Sequence, residues 1–255
     1  MNETSSTGSS NDNWDRRRRE NKPHEGDGTI ALKDLFEPMS KPKSNSFAVK
    51  EILPGSVWVV PDFLQASECQ AWIDFVDEGG TAAASSKTRK SRLEYIQHPA
   101  TKYVANRECF RWQRNDPSVA KVVFDRMQSS GVLRELQAKV QFGSVSYGPC
   151  ACNPNIRIYK YDKGMAFGRH VDGSHHVEGI GMTEVTVLVC LSDCQGGSTR
   201  FYPANSGKNA KSIAFAPQKG ALLVHVHGDR CLEHEADPVV SGLKYILRTD
   251  IVYAE

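Results

Sequence analysis

The sequence predicts a mainly β protein: a barrel or sandwich core supported by helices. Three observations carry this. From about residue 154, short β-rich runs follow one another (IRIYKYD, TEVTVLVCLSD, STRFYP, SIAFAP, GALLVHVH, LKYILRTDIVY), each bounded by Gly, Pro or Asp turns. Upstream, two segments space their apolar residues at helical rather than alternating intervals. The length of 255 residues and a 39% hydrophobic content allow one domain with a sizeable core.

Taken in order, residues 1–45 read as a disordered arm. Up to about residue 28 it is Ser, Asn, Asp, Arg, Glu and Gly, too little apolar surface to offset the entropy of ordering. Its run Arg16 to Arg19 has two readings: a nuclear-import or nucleic-acid patch, or a solvated charge run. Residues 29–39 (TIALKDLFEPM) predict a short amphipathic helix that Pro38 ends, docking on the domain or on a partner. Residues 46–255 read as a single domain, with 46–145 a helical support region and 146–255 the β core. Val57 to Val60 form a strand. Ser67 caps a helix, with Gln70 three residues on; it runs to about Glu78 with Trp72, Phe75 and Val76 inward, and Gly79-Gly80 ends it. Residues 81–92 read as a mobile loop. Asp116-Pro117 opens a second helix, a cap followed by Pro at the first helical position, with Val119, Val122, Val123, Phe124 and Met127 as its apolar stripe.

Composition excludes several classes. Lys plus Arg is 32 and Asp plus Glu is 30, a net charge of +2, which argues against a protein built to grip nucleic acid. No run of 18 apolar residues suggests a membrane span, and the N-terminal stretch lacks the apolar region of a secretory signal. Seven cysteines without a CxxC pair read as reduced thiols, so a cytoplasmic or nuclear location is expected.

The chemistry centres on His170-Val171-Asp172. At strand spacing, i and i+2 point the same way, so one imidazole nitrogen and one carboxylate oxygen can meet one ion. His234 is the best third ligand. Two His and one carboxylate on one face leave three positions open, which suits non-haem Fe(II) oxygenases. In the last run, Lys244, Ile246, Arg248 and Asp250 share one strand face. That face is either wet, or looks into the barrel, where buried charge needs an answering anion.

Five blocks in order resemble a known family. Tyr161-Asp-Lys-Gly164-Met-Ala-Phe167-Gly-Arg-His170-Val-Asp172 resembles the pattern Y-x-x-G-x-x-aromatic-x-x-H-x-D of the prolyl 4-hydroxylase-like 2-oxoglutarate and Fe(II)-dependent dioxygenases. Thr186-Val-Leu-Val-Cys-Leu191-Ser-Asp193, Gly196-Gly197-Ser-Thr199-Arg-Phe201 and Pro217-Gln-Lys-Gly220-Ala-Leu-Leu are similar to its next three blocks. His234-Glu-Ala-Asp-Pro238-Val239-Val-Ser-Gly242-Leu-Lys244 is similar to H-x-x-x-P-V-x-x-G-x-K. The resemblance covers residues 46–145 more loosely and the arm not at all.

The resemblance implies a double-stranded β-helix, or jelly-roll, core. It implies Fe(II) held by His170, Asp172 and His234, with 2-oxoglutarate chelating the ion and O2 taking the last position. Lys244 would answer the far carboxylate of 2-oxoglutarate, with Arg248, whose fork binds carboxylates bidentately, as second cation. Tyr161 and Thr186 would supply hydroxyl contacts to the co-substrate, and ascorbate would serve as reductant. The implied activity is hydroxylation of a peptidyl residue, prolyl among them, or of a small molecule, with release of succinate and CO2. The alternative is a metal-binding sensor or interaction module of the same fold. Cys190 stands where many relatives have Tyr. His225 and His227 would line the site, act as decoy ligands, or be strand residues satisfied locally, and His175 and His176 would sit at the barrel mouth, contacting substrate or simply exposed. A cupin-like site on His225, His227 and Glu233 is disfavoured because five residues intervene before the Glu.

Overall fold

A computed structural model describes residues 31–37, 48–77, 91–102, 104–140, 148–203 and 211–254. The four-Arg run, most of the arm, the Gly79-Gly80 helix end and residues 81–90 of the expected loop lie outside these residues. Among the described residues, fourteen strands form one antiparallel sheet that curls on itself, and two more pair as a separate ribbon.

The first described segment is a 3-10 turn, Leu32–Leu35, rather than the expected longer helix. Leu32 and Phe36 are buried in the main core, so this part of the arm is anchored on the domain. Strands β1 (Lys50–Leu53) and β2 (Val57–Val60) form a hairpin at one end of the sheet. Helix α1 runs Ala66–Asp77 and starts before Ser67. The Glu68 carboxylate accepts the Gln65 N–H at 2.7 Å, so Glu68 caps the helix and the Ser67 hydroxyl instead donates to Glu37.

Within the expected helical support region two strands form, β3 (Glu94–His98) and β4 (Arg107–Asn115). β3 is largely exposed and β4 half-buried, neither shows clean alternation, and pairing of β3 with β4 and of β4 with β6 decides their state. Helix α2 (Pro117–Ser130) begins as the sequence predicts: the Asp116 carboxylate accepts the Ser118 and Val119 N–H groups, and Pro117 is the first residue. Gly131, at φ 84°, ends it, and α3 (Val132–Lys139) follows.

The core strands are β5 (Pro149–Cys152), β6 (Asn155–Tyr161), β7 (Phe167–His170), β8 (His176–Val177), β9 (Gly181–Cys190), β10 (Cys194–Gly196), β11 (Thr199–Tyr202), β12 (Ile213–Phe215), β13 (Leu222–Val226), β14 (Glu233–Ala236), β15 (Val239–Gly242) and β16 (Lys244–Tyr253). Along the sheet the order is β1-β2-β13-β9-β16-β6-β4-β7-β14-β11-β12.

Period-two alternation sorts each central strand into two faces. One face sends Ile156, Ile158, Val185, Val187, Val189, Leu222, Val224, Tyr245, Leu247 and Ile251 into a core shared with all three helices. The other face turns inward and carries Tyr159, Tyr161, Thr186, Leu188, His225, Lys244, Ile246 and Arg248, the lining of a cavity of about 50 Å³. Both faces of β16 are thus covered. The charged face of Lys244, Arg248 and Asp250 therefore looks into the barrel and is not the wet one.

Candidate metal centre

His170 ends β7 and His234 lies in β14, and the two residues are direct partners across the antiparallel pair. Asp172 follows two residues after His170. Atoms of His170, Asp172 and His234 that could bind a metal all lie within 4.8 Å of one another. The His170 Nε2 and His234 Nε2 atoms are each 3.7 Å from the Asp172 carboxylate.

Each imidazole is oriented by its own backbone. His170 Nδ1 lies 2.8 Å from the Gly168 carbonyl, and His234 Nδ1 lies 2.9 Å from the Leu232 carbonyl. A carbonyl only accepts, so Nδ1 carries the proton and Nε2 presents its lone pair to the centre. Phe167 stacks on His170 at 3.7 Å between ring centres, and Phe201 packs on His234 at 5.6 Å. Burial pushes His170 down to about 4 and lowers His234 and His225, so near neutral pH all three are uncharged donors.

Burial alone would raise the Asp172 carboxyl. Arg248 and the surrounding histidines override it and hold Asp172 well below the usual carboxylate range. Arg248 donates to Asp172 Oδ2 at 2.9 Å, and Thr186 Oγ1 donates to the same oxygen at 2.7 Å. Oδ1 accepts no hydrogen bond among the described residues. Two free imidazole lone pairs and one free carboxylate oxygen converge, a donor set that fits a divalent metal with open positions.

Behind the centre, Arg248 also faces Asp250 at 3.6 Å, and Asp250 pairs with Arg157. Thr186 is shared further: its oxygen lies 3.0 Å from His227 Nδ1. With its one proton given to Asp172, it accepts from His227. The Thr186 hydroxyl, expected at the co-substrate, is thus engaged with the centre's carboxylate.

Lys244 is 3% exposed and sits opposite Tyr161 across the β16–β6 pair. Its Nζ donates to the Gly197 carbonyl at 2.6 Å and stands 5.4 Å from the Tyr161 ring centre. Burial lowers its ammonium. No carboxylate is hydrogen-bonded to it among the described residues, whereas Arg248 already has two carboxylate neighbours. The Gly196-Gly197 turn makes this possible. Gly197 has φ 62°, and a Cβ there would stand 3.2 Å from Lys244 Cδ and 3.1 Å from Cys194 Sγ.

Arg107 was not singled out by sequence. It leaves β4, lines the cavity and lies between the rings of Tyr159 (4.4 Å) and Phe167 (4.6 Å), with Nε unpartnered. The available signal was its place on a strand, which the charged sequence of β4 hid. His225 lines the cavity, with Nε2 3.7 Å from Asp172. His175 is occupied elsewhere, by Thr183 and Asn153. Glu233 is directed to Arg169, so the cupin-like set of His225, His227 and Glu233 does not assemble.

Residues 156–249 match the family model described as the 2OG-Fe(II) oxygenase superfamily. Among solved structures, the chain is similar to a prolyl hydroxylase from Trichoplax adhaerens in complex with a hypoxia inducible factor oxygen degradation domain peptide fragment. That match has 16% identity, a TM-score of 0.50, and covers 77% of this chain and 83% of that one. A Pseudomonas putida prolyl-4-hydroxylase matches at 17% identity with a TM-score of 0.49, over 78% and 93%. A viral collagen prolyl hydroxylase from Paramecium Bursaria Chlorella virus-1 matches at 17% and 0.49, over 78% and 96%. No curated protein matches the chain.

Proposed function

We propose that this chain is a 2OG-Fe(II) oxygenase with residues 156–249 as its core, and that it hydroxylates a peptidyl residue, prolyl among them, or a small molecule. Each turnover would convert one C–H to C–OH while 2-oxoglutarate and O2 become succinate and CO2. The observation that carries this reading is the converging, uncharged donor set of His170, Asp172 and His234.

In this reading His170 and His234 hold Fe(II) through Nε2 and Asp172 holds it through its carboxylate. Fe(II) and 2-oxoglutarate supply the O2 activation, and the protein supplies position and dryness. The two backbone carbonyls on Nδ1 keep both rings in the binding tautomer. Arg248 and Thr186 fix the carboxylate from behind. Lys244 answers the far carboxylate of 2-oxoglutarate, because it is a buried cation that, among the described residues, donates to a carbonyl and to no carboxylate. Tyr161 stands beside it in register and shields that end of the cavity from water. Ascorbate would keep the iron reduced. A cytoplasmic or nuclear setting is supported by seven unpaired cysteines.

The test is succinate release by purified protein with Fe(II), ascorbate and 2-oxoglutarate, with and without prolyl peptides. Asp172-dependent release would support the reading, and stimulation by a peptide would identify the substrate class. If 2-oxoglutarate and Fe(II) together bind no better to the wild type than to Asp172→Ala, the oxygenase site is not where we place it.

A further inference from the structure

A second group of ligand-type atoms stands beside the first. His225, Cys231 and His234 offer atoms all within 4.8 Å of one another. His225 is 2% exposed, and its Nε2 has no hydrogen-bond partner among the described residues. A buried ring nitrogen left unsatisfied is costly and points to something that binds it. Its ring meets that of His234 edge-on at 4.5 Å. Cys231 follows the 3-10 turn Gly228–Arg230, with Sγ 3.9 Å from His234 Nδ1 and 3.3 Å from the Asp172 N–H that donates to it. The thiol is therefore pinned between two residues of the iron site without belonging to that donor set.

Two nitrogens and an oxygen suit iron; two nitrogens and a sulfur are a softer set, which zinc takes where water completes a tetrahedron. His234 is common to both sets. Nδ1 is the nitrogen that faces Cys231, so a zinc ion there would take Nδ1 and leave the ring proton on Nε2, the atom iron needs, and the two sets exclude each other. We propose that His225, Cys231 and His234 form a thiolate-containing Zn²⁺ site that competes with iron for His234 and so switches the oxygenase off. The inference rests on the iron reading of His234. On binding, the Cys231 S–H proton passes to water, an S–Zn bond forms, and water fills the fourth tetrahedral position. Zn–S and Zn–N bonds of about 2.3 and 2.1 Å require the ligand atoms to close in by roughly an ångström. Rotation of the half-buried Cys231 side chain beside its turn can supply that movement.

Co²⁺ is the spectroscopic probe. Titrated into the metal-free full-length chain, it should give a sulfur-to-cobalt charge-transfer band in the near ultraviolet. The band should persist in Asp172→Asn, which breaks only the iron set, and vanish in Cys231→Ser and Cys231→Ala. Zn²⁺ should inhibit succinate release by the wild type at a concentration lower by roughly tenfold or more than for Cys231→Ser. Absence of the band in the wild type, its survival in both Cys231 variants, or its loss in Asp172→Asn would each overturn the proposal. The visible absorption of Fe(II) with 2-oxoglutarate, measured on wild type without zinc, tests the iron reading separately. If that absorption is missing while the thiolate band is present, the oxygenase reading fails and the zinc site stands.

Discussion

Asp172 is the side chain on which most of the site depends. Its carboxylate faces His170 and His234 on one side and is held by Arg248 and Thr186 on the other. In the proposed reading Arg248 is a positioning residue, and Lys244 is the cation left for an incoming anion. The two assignments predict different kinetics. Lys244→Ala should raise the KM for 2-oxoglutarate by roughly 10- to 100-fold, the size expected for losing a buried charge-assisted hydrogen bond. Arg248→Ala should instead weaken Fe(II) binding by about 10- to 100-fold, since outer partners of metal ligands carry that much affinity. Titrating each variant separately with Fe(II) and with 2-oxoglutarate checks this, and a reversed pattern would exchange the two roles. HxD and His234 were legible in the sequence as a spacing. That Thr186 and Arg248 spend their polar groups on Asp172 was not, because those contacts join residues 14 and 76 positions apart.

At the level of elements, the Gly196-Gly197 turn between β10 and β11 sets the floor under Lys244. Gly197→Ala places a Cβ within 3.2 Å of the lysine side chain on a backbone at φ 62°. It should cost about 1–2 kcal/mol of stability and also raise the KM for 2-oxoglutarate. Urea unfolding beside steady-state kinetics checks both arms. Helix α2 shows what local sequence can specify: its cap and first-position Pro are as expected. Asp116→Ala should lower stability by about 1 kcal/mol through loss of that cap, with little effect on 2-oxoglutarate binding. Strands β3 and β4 show the opposite. Their sequences carry weak periodicity, and pairing makes them strands: β4 with β6 and β7, and β3 with β4. Arg107 reaches the cavity because of that pairing.

Among the described residues, two buried charge clusters join distant elements. One joins the arm to the helices: Glu68 takes both Arg126 nitrogens and the Glu37 N–H, and Arg126 donates to the Glu37 carbonyl. Glu68→Gln should destabilise by about 3 kcal/mol, because it leaves the Arg126 charge buried without its partner. It should also speed hydrogen exchange in residues 31–37, and exchange rates unchanged there would show that the clamp does not hold the segment. The other lies in the barrel interior. With His170 lowered from 6.5 to about 4, the unfolded chain takes up a proton that the fold refuses. The stability of the metal-free protein should then fall as pH drops from about 6.5 toward 4, by up to about 3 kcal/mol from this residue. Denaturation midpoints across that range, compared with His170→Gln, measure it; an equal slope in the variant would rule His170 out as the source.

Sequence alone determined what depends on local order and spacing. These are the run of short strands from residue 154, the cap of α2, and the HxD with a distant His, because periodicity, turn chemistry and strand alternation act over a few residues. The tertiary structure decided which face of β16 is dry. On an isolated strand Lys244, Ile246, Arg248 and Asp250 could equally face water. Curling the sheet put β7, β14 and β11 across from β16, β9 and β13, and turned that face into the lining of a cavity. Only then do buried cations require anions, and only then does Asp172 acquire Arg248 and Thr186 as partners. Closure of the barrel is a property of the whole sheet and of no single segment.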